Sequence, residues 1–342
     1  MRTLAANATR VPASPSMMLA KRPALKQLLA GTCPAIALAV GVLVGAGCGG
    51  DTILVLDVAG QQSGELGEPG PYGVGWIERP LRVRPDASVE TDIYVPLTAD
   101  KTVAPGPFPP VVGIQGGLVD QAAYRWLYVH IASRGFVVIA PHHPGRVAIF
   151  SVGNAAGALR AIRRLSAQSS GRLQDVIAAD RRALVLGHSL GGVVAAKNWL
   201  YEPENFSHLA LLASYPAAFE TYERSPDPNG DAALSIIGSR DARTEDPVRK
   251  AKEGVDRLEQ PTTFAIVEGM NHYQWGDLPR SGELRQDASP NIDTPLARAR
   301  ALVLLDAFLQ TYRGGEDIAL LRSPSEWPRG VVPWDAWQES EP

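Results

Sequence analysis

The stretch ALVLGHSLGG, residues 183–192, constrains the fold of this chain more than any other part of the sequence. Its short apolar run is typical of a buried strand, and the glycines that follow permit a turn too tight for most side chains. Such a turn can hold a serine in strained backbone geometry, with its hydroxyl exposed above a sheet. The stretch therefore predicts a strand, a sharp turn at Ser189 and a helix. The alternative is an ordinary glycine-rich turn with an incidental serine.

Segments with strand and helix character alternate along the rest of the chain. The uninterrupted apolar run FVVIAP at residues 136–141 predicts a parallel strand buried on both faces, and AAGALRAIRRLSAQ at residues 155–168 has helical spacing. Alternation of this kind indicates a mostly parallel central sheet with helices on both faces. We therefore expect a single α/β domain over residues 72–342.

Two residues that follow later strands complete the set that a nucleophilic serine needs. Asp241 comes after the apolar run LSIIGS, and His272 comes after TTFAIVEG. Serine, acid and histidine occur in the order used by serine hydrolases with this type of turn. We expect Ser189 to attack a carbonyl carbon, His272 to take its proton and Asp241 to orient the imidazole. Asp246 remains a competing acid, because an aspartate after a strand is often only a helix cap.

Two backbone N–H groups are predicted to stabilise the negative oxygen of an acyl intermediate. One belongs to Leu190, directly after the serine, and the other to Gly117 in the QGG loop that follows the strand VVGI. His188 is too close to Ser189 to serve as its base, and we expect it to pack beneath the turn. The other histidines are interpreted as pocket residues (His142, His143) and structural residues (His130, His208).

The first 47 residues form a leader that differs in composition from the rest. They hold five basic residues and no acidic one, and their apolar run ALAVGVLVGAG leads directly to Cys48. A basic start, an apolar middle and small residues at the end are typical of a secretory signal. Met1, Met17 and Met18 remain alternative starts of translation, and an uncleaved membrane anchor is the alternative to cleavage.

The segment VGAGCGGD resembles a bacterial lipoprotein processing site, at which Cys48 is acylated and becomes the mature N-terminus. Gly45 stands where such sites usually carry leucine, so ordinary cleavage nearby stays open. Residues 48–71 are rich in Gly, Gln, Glu and Pro and are interpreted as a flexible tether. We expect an exported protein that is either anchored to a membrane by lipid or free in the periplasm or outside the cell.

Charge and cysteine content exclude several classes of partner and cofactor. The leader holds five of the 33 Lys and Arg residues and none of the 36 acidic ones, which leaves the mature chain with a net charge of −8. Without any basic run, the mature chain is not expected to bind nucleic acid. Its only possible thiol is Cys48, since Cys33 lies in the leader. No histidine pair has the spacing of a helical metal site, and we expect neither a metal nor a cofactor.

Four segments of the chain resemble α/β-hydrolase esterases of the bacterial chlorophyllase, dienelactone-hydrolase and polyester-hydrolase kind. They are GIQGGLVDQAAYRWLYVHIASRGFVVIAPHHPG, GHSLGG, LALLASYPA and VEGMNHYQWGD, within a resemblance that runs from about Pro71 to Tyr312. The resemblance implies the α/β-hydrolase fold and a catalytic triad of Ser189, Asp241 and His272. It also implies that the substrate is a carboxylic ester, either a small molecule or a polymer.

Two features depart from the pattern of that family. Gln115 stands where many relatives carry His or Pro before the oxyanion glycine, and little chain separates residues 214 and 234. The short span leaves little room for a cap domain, so we expect no large cap and an open site. Two alternatives to ester hydrolysis stay open. The same triad can act on amides, on thioesters or in acyl transfer, and the scaffold can serve as a tethered binding protein.

Overall fold

The computed structural model of the protein describes most of the chain after residue 64. The described residues are 40–41, 52–56, 65–143, 152–168, 171, 173–216, 231–244, 246–258, 260–277, 287–314 and 318–340. All of them belong to the second of two compact units of the chain, Met1–Ala37 and Leu38–Pro342. Cys48 and almost all of the predicted leader lie outside the described residues.

Eleven described strands form one sheet, and they are numbered in chain order. They are β1 (Val40–Gly41), β2 (Leu54–Leu56), β3 (Gly73–Arg84), β4 (Ala87–Leu97), β5 (Pro110–Ile114), β6 (Val137–Pro141), β7 (Ala183–His188), β8 (Phe206–Leu212), β9 (Ala232–Gly238), β10 (Thr262–Val267) and β11 (Val331–Val332). Their spatial order is β1-β2-β3-β4-β6-β5-β7-β8-β9-β10-β11. The exchange of β5 and β6 makes β5 the direct neighbour of β7.

The centre of the sheet consists of six parallel strands, β6 to β10 with β5 between β6 and β7. Antiparallel strands β1 to β4 extend one side, and the short β11 pairs antiparallel with β10 on the other. Parallel neighbours end at the same edge of a sheet, so the loops after β5, β7, β9 and β10 come together there.

Seven α-helices are described around the sheet. They are α1 (Arg125–Ser133), α2 (Val152–Ser166), α3 (Leu190–Tyr201), α4 (Pro247–Asp256), α5 (Thr294–Gly314), α6 (Ala319–Arg322) and α7 (Trp334–Ser340). Helix α1 ends where Gly135 takes a positive φ of 83°, as a glycine after a helix end commonly does. None of the described helices combines the length and the apolar character that a membrane span requires.

The two faces of the sheet bury separate apolar clusters. Alternate residues of one strand enter different clusters, as with Leu184 and Leu186 on one face and Val185 on the other. Helices α2, α3 and α4 contribute to the cluster of Val185, and α1 and α5 contribute to the cluster of Leu184. Both faces are thus covered by helices, which confirms the predicted α/β architecture.

The longest stretches between elements of the parallel part are residues 213–231 and 268–293. Each is shorter than the smallest independent domains, which contain about 50 residues. The stretches between the described elements of the parallel part are therefore too short to hold a large cap domain.

The segment predicted as a flexible tether, residues 48–71, is partly ordered on the domain. Leu54–Leu56 pairs with β3, and the N–H of Gly67 donates to a carboxylate oxygen of Asp306 at 2.6 Å. The N–H of Gly70 donates to Ser133 Oγ at 2.9 Å. The structure therefore differs from the prediction at these residues, because the apolar run ILVL at 53–56 joins the sheet. Residues 57–64 lie outside the described residues.

Candidate active site

Ser189 occupies the turn between β7 and α3, and its backbone has φ 53° and ψ −127°. A positive φ is strained for a residue that carries a side chain. Only glycine fits at two flanking positions: a Cβ at Gly187 would collide with the backbone of Gly191, and a Cβ at Gly191 would collide with the carbonyl of Gln115. The glycines predicted to permit the turn are therefore required by close backbone packing, and β5 is packed against the turn.

Hydrogen bonds from strand β8 and the residues after it hold the backbone of the turn. The N–H of Ser189 donates to the carbonyl of Leu212 at 3.0 Å, and Ser214 Oγ donates to the carbonyl of Ser189 at 2.6 Å. Gly192 packs so closely on Ser214 that a Cβ would not fit. These contacts stabilise the strained conformation of Ser189 from the side of the next strand.

His272 and Asp241 form a buried pair at the same edge of the sheet. His272 begins a short 3-10 turn after β10, and its Nδ1 lies 2.7 Å from Oδ2 of Asp241 in the loop after β9. Both side chains are almost fully buried. The competing acid, Asp246, instead pairs with Arg249 on the surface at the start of α4. The structure thus brings Asp241, and not Asp246, to the histidine.

His188 packs beneath the turn, as predicted, and contacts His272. Its ring centroid lies 4.6 Å from that of His272, and its Nε2 lies 3.1 Å from the backbone carbonyl oxygen of His272. Burial, helped by the nearby His272, lowers the pKa of His188 well below its ordinary value. His188 is therefore neutral, and it brings His272 next to the segment that carries Ser189.

Gly117 and Leu190, the predicted donors to an oxyanion, lie side by side. A Cβ on Gly117 would be 3.0 Å from Cδ2 of Leu190. Leu190 is the first residue of α3, so its N–H has no acceptor inside the helix. The N–H of Gly116 already donates to Tyr124 Oη at 3.1 Å, whereas the N–H of Gly117 has no acceptor among the described residues. Two adjacent donors are thus available at this position.

Gln115, the departure from the family pattern, braces the loop that carries these glycines. Its Nε2 donates to the carbonyl of Val119 at 2.7 Å, and its own carbonyl lies 3.3 Å from Nε2 of His143. Burial lowers the pKa of His143 to about 4, so its neutral ring can donate to that carbonyl. Leu118, inside the braced loop, takes a positive φ of 63° and is largely exposed.

The remaining histidines have other partners. His142, predicted to line a pocket with His143, lies 3.3 Å from the Asp92 carboxylate through Nε2. His130 and His208 are buried and bind Asp306 and Ser207, respectively, in agreement with structural roles. No group of three described His, Cys, Asp or Glu side chains is arranged to hold a metal ion.

Asp287 is a residue of this site that the sequence pattern did not indicate. One of its carboxylate oxygens accepts from the N–H of Ala242, and the other accepts from the N–H of His272, each at 2.9 Å. Asp287 therefore joins the loop that carries Asp241 to the loop that carries His272. A second brace is the capping box of Asn271 and Gln274 around His272, for which the N-x-x-Q spacing is a recognisable signal.

No curated protein sequence matches this chain significantly. Residues 111–294, more than half of the chain, match the model of the alpha/beta hydrolase family. The match begins within β5 and ends at the start of α5, so it includes the Ser189 turn and the pair of Asp241 and His272. The chain belongs to the alpha/beta hydrolase family.

Proposed function

We propose that this hydrolase cleaves carboxylic esters through an acyl-enzyme intermediate on Ser189. The observation that carries the proposal is the buried pair of Asp241 and His272, joined at 2.7 Å beside the strained serine turn. Strand order, close glycine packing and the contact of His188 with His272 all support the nearness of serine and base.

Asp241, His272 and Ser189 each have a separate role in the proposed reaction. Asp241 accepts the hydrogen bond of His272 Nδ1–H, so the other ring nitrogen, Nε2, is the one that can accept a proton. As Ser189 Oγ forms a bond to the carbonyl carbon, its proton passes to Nε2, and the imidazolium is stabilised by Asp241. That proton then moves to the leaving oxygen while the carbon–oxygen bond breaks. Water then attacks the acyl carbon while the same histidine takes its proton. The bond from that carbon to Ser189 Oγ breaks, the histidine returns the proton to Oγ, and the carboxylic acid is released.

The N–H groups of Gly117 and Leu190 would stabilise the negative oxygen of both tetrahedral intermediates. Their support is the contact between the two residues and the lack of another acceptor for Gly117 among the described residues. Loss of one such donor typically costs about 10² to 10³ in rate. Backbone donors are fixed before the substrate arrives, which makes this kind of stabilisation efficient.

Esters are preferred over amides and thioesters because the four sequence segments resemble esterases. A series of nitrophenyl esters of increasing acyl length, compared with the matching anilides and thioesters, tests this choice. We expect turnover of esters that is lost in Ser189→Ala and kept in Ser235→Ala, which alters a buried serine on β9. Faster turnover of the anilides or thioesters would contradict the ester assignment, and ester turnover unchanged in Ser189→Ala would contradict the nucleophile.

We also propose that the protein is exported and attached to a membrane by lipid on Cys48. The support is the basic leader without acidic residues and the small residues before the cysteine. Cleavage there would remove β1 and leave β2 at the edge of the sheet. The mature protein should partition into detergent, and Cys48→Ser should release it or block processing. A soluble mature form that begins after Cys48 would contradict the anchor, and an intact leader on a cytoplasmic protein would contradict export as well.

A further inference from the structure

A buried chain of hydrogen bonds connects the three loops of the site. The N–H of Gly116 donates to Tyr124 Oη at 3.1 Å, and Tyr124 Oη lies 2.8 Å from His188 Nδ1. On the other side of the same ring, Nε2 of His188 lies 3.1 Å from the carbonyl oxygen of His272. Tyr124 and His188 are both nearly inaccessible to solvent.

The direction of each bond follows from the chemistry of its ends. The carbonyl of His272 can only accept, so His188 must carry its proton on Nε2. A neutral imidazole then offers Nδ1 as an acceptor, and the hydroxyl of Tyr124 donates to it. The oxygen of Tyr124 remains able to accept the N–H of Gly116. One consistent set of donors therefore runs from the glycine loop through Tyr124 and His188 to the base.

Three of the residues joined by these hydrogen bonds lie at, or one residue away from, a group with a role in the proposed reaction. Gly116 precedes Gly117, His188 precedes Ser189, and the carbonyl at the far end belongs to His272 itself. There is also no room for a side chain at Gly116, because a Cβ would lie 2.8 Å from Tyr124 Oη and 3.0 Å from His188 Nδ1. The bonds therefore join these three loops at fixed, short separations.

We propose that Tyr124 and His188 are positioning residues, which hold the oxyanion loop and the catalytic base in register with the nucleophile. This inference rests on the proposed function. Neither residue touches the reacting atoms, and both act through their neighbours. Because Tyr124 Oη already accepts the hydrogen bond of the Gly116 N–H, the N–H of Gly117 is the one of the two that is left to donate to the substrate oxygen. Displacements of about 1 Å in such an arrangement are enough to lower the rate of reaction strongly.

The variant Tyr124→Phe removes the central hydroxyl and keeps the ring. Its matched control is Tyr128→Phe, which also deletes one buried hydroxyl from the same aromatic cluster. The hydroxyl of Tyr128 lies 3.2 Å from Gln121 Nε2 and takes no part in the chain to His188. The two variants thus remove similar groups from similar surroundings, and they differ in the proposed role.

The measurements are kcat and KM with a nitrophenyl ester and the rate and final extent of labelling by a fluorophosphonate. We expect Tyr124→Phe to lower kcat and the labelling rate about tenfold, which is the size of one well-placed hydrogen bond. KM should change less than about twofold, and labelling should still reach one group per protein, as expected for an effect on the reacting geometry. Tyr128→Phe should stay within about twofold of the wild type in every value.

A pair of substitutions at His188 gives a second test that does not depend on Tyr124→Phe folding. The amide of glutamine can reach the position of Nε2 and donate to the carbonyl of His272, whereas asparagine offers a group only near the position of Nδ1. We expect His188→Gln to label several times faster than His188→Asn, because the bond to the base is restored only in the former.

Labelling of Tyr124→Phe at the wild-type rate would overturn the proposal, even if fewer molecules were labelled, because a purely structural role lowers the active fraction and not the rate. Equal rates for His188→Gln and His188→Asn would also overturn it. Labelling of the wild-type protein is measured first. A wild-type protein that is not labelled at Ser189 would contradict the proposed function itself.

Discussion

Two buried histidine–aspartate pairs in this protein have nearly the same geometry and different surroundings. His272 and Asp241 are 2.7 Å apart at the ends of β10 and β9, and His130 and Asp306 are 2.8 Å apart between helices α1 and α5. Asp306 also binds Arg134 and the N–H of Gly67, so its charge is balanced within the helical layer. Only the first pair lies beside the serine turn. A short histidine–aspartate contact therefore does not mark a catalytic site unless a nucleophile stands next to it.

The largest expected effect comes from the first pair. Asp241→Asn should lower kcat about 10⁴-fold, because the neutral amide neither stabilises the imidazolium nor holds the required tautomer. Thermal unfolding should show that the fold is kept. Asp246→Asn, which alters the competing acid, should change kcat less than about twofold. If Asp246→Asn inactivated the enzyme and Asp241→Asn did not, the assignment of the acid would be wrong.

For the second pair, His130 and Asp306, we expect the opposite result: substitution should lower stability and leave kcat unchanged. Asp306→Asn removes the carboxylate that binds His130, Arg134 and the N–H of Gly67, and it should lower the free energy of unfolding by about 3 to 5 kcal/mol. The molecules that remain folded should keep the wild-type kcat, measured after titration of active sites with a fluorophosphonate. A large fall in kcat per active site, without a loss of stability, would contradict the distinction between the two pairs.

His143 extends the comparison to a buried histidine whose hydrogen-bond partner is a carbonyl. Its pKa falls from 6.5 to about 4 on folding, because burial disfavours the charged ring. Between these values the unfolded chain binds the extra proton and the folded protein does not, so stability is complete above pH 6.5 and is lost as the pH falls toward 4. His143→Gln should reduce this acid-induced loss by about 2 kcal/mol in denaturant titrations at pH 7 and 4.5.

His142 supplies the control for this measurement. Burial alone would lower the pKa of His142, but Asp92 raises it above the ordinary value. Its contribution to stability is therefore present below pH 6.5 and lost as the pH rises through the folded pKa. His142→Gln should make the loss of stability at low pH steeper. Equal slopes in both variants would contradict the opposite environments of these neighbouring rings.

Asp287 should give the smallest of these effects on the site. Asp287→Asn keeps one oxygen as an acceptor but turns an amide N–H toward a backbone donor, either that of Ala242 or that of His272. We expect kcat to fall about tenfold, the value of one lost hydrogen bond to a charged acceptor, with little change in KM. Wild-type kcat in this variant would show that Asp287 only anchors the loop and does not position the base.

The serine turn was predictable because its conformation is dictated locally. Glycines on both sides of Ser189 meet backbone atoms of the turn and of β5. The glycine pattern in the sequence and the tight turn in the structure therefore have the same cause, which is close backbone packing. The fold followed from the alternation of apolar runs and amphipathic helices. The contact between Asp241 and His272 was predictable because parallel strands end at the same edge of the sheet.

Other contacts depend on distant parts of the chain and carried no signal. Asp287 lies 15 residues beyond His272 in the chain, and no regular spacing connects the two. Tyr124 reaches His188 only because the start of α1 packs against the end of β7. Strand β2 was missed for another reason: the polar average over residues 48–71 obscured a run of four apolar residues within it.

The most direct test of the account is to find the acyl group during turnover. A nitrophenyl ester is mixed with the enzyme and quenched with acid within the first turnover, and the digested protein is mapped by mass spectrometry. We predict one acyl group on the peptide that contains Ser189, in the wild type and in Asp306→Asn, and none in Ser189→Ala. Turnover of the ester with no acyl group on Ser189, or with an acyl group on another residue, would contradict the central claim.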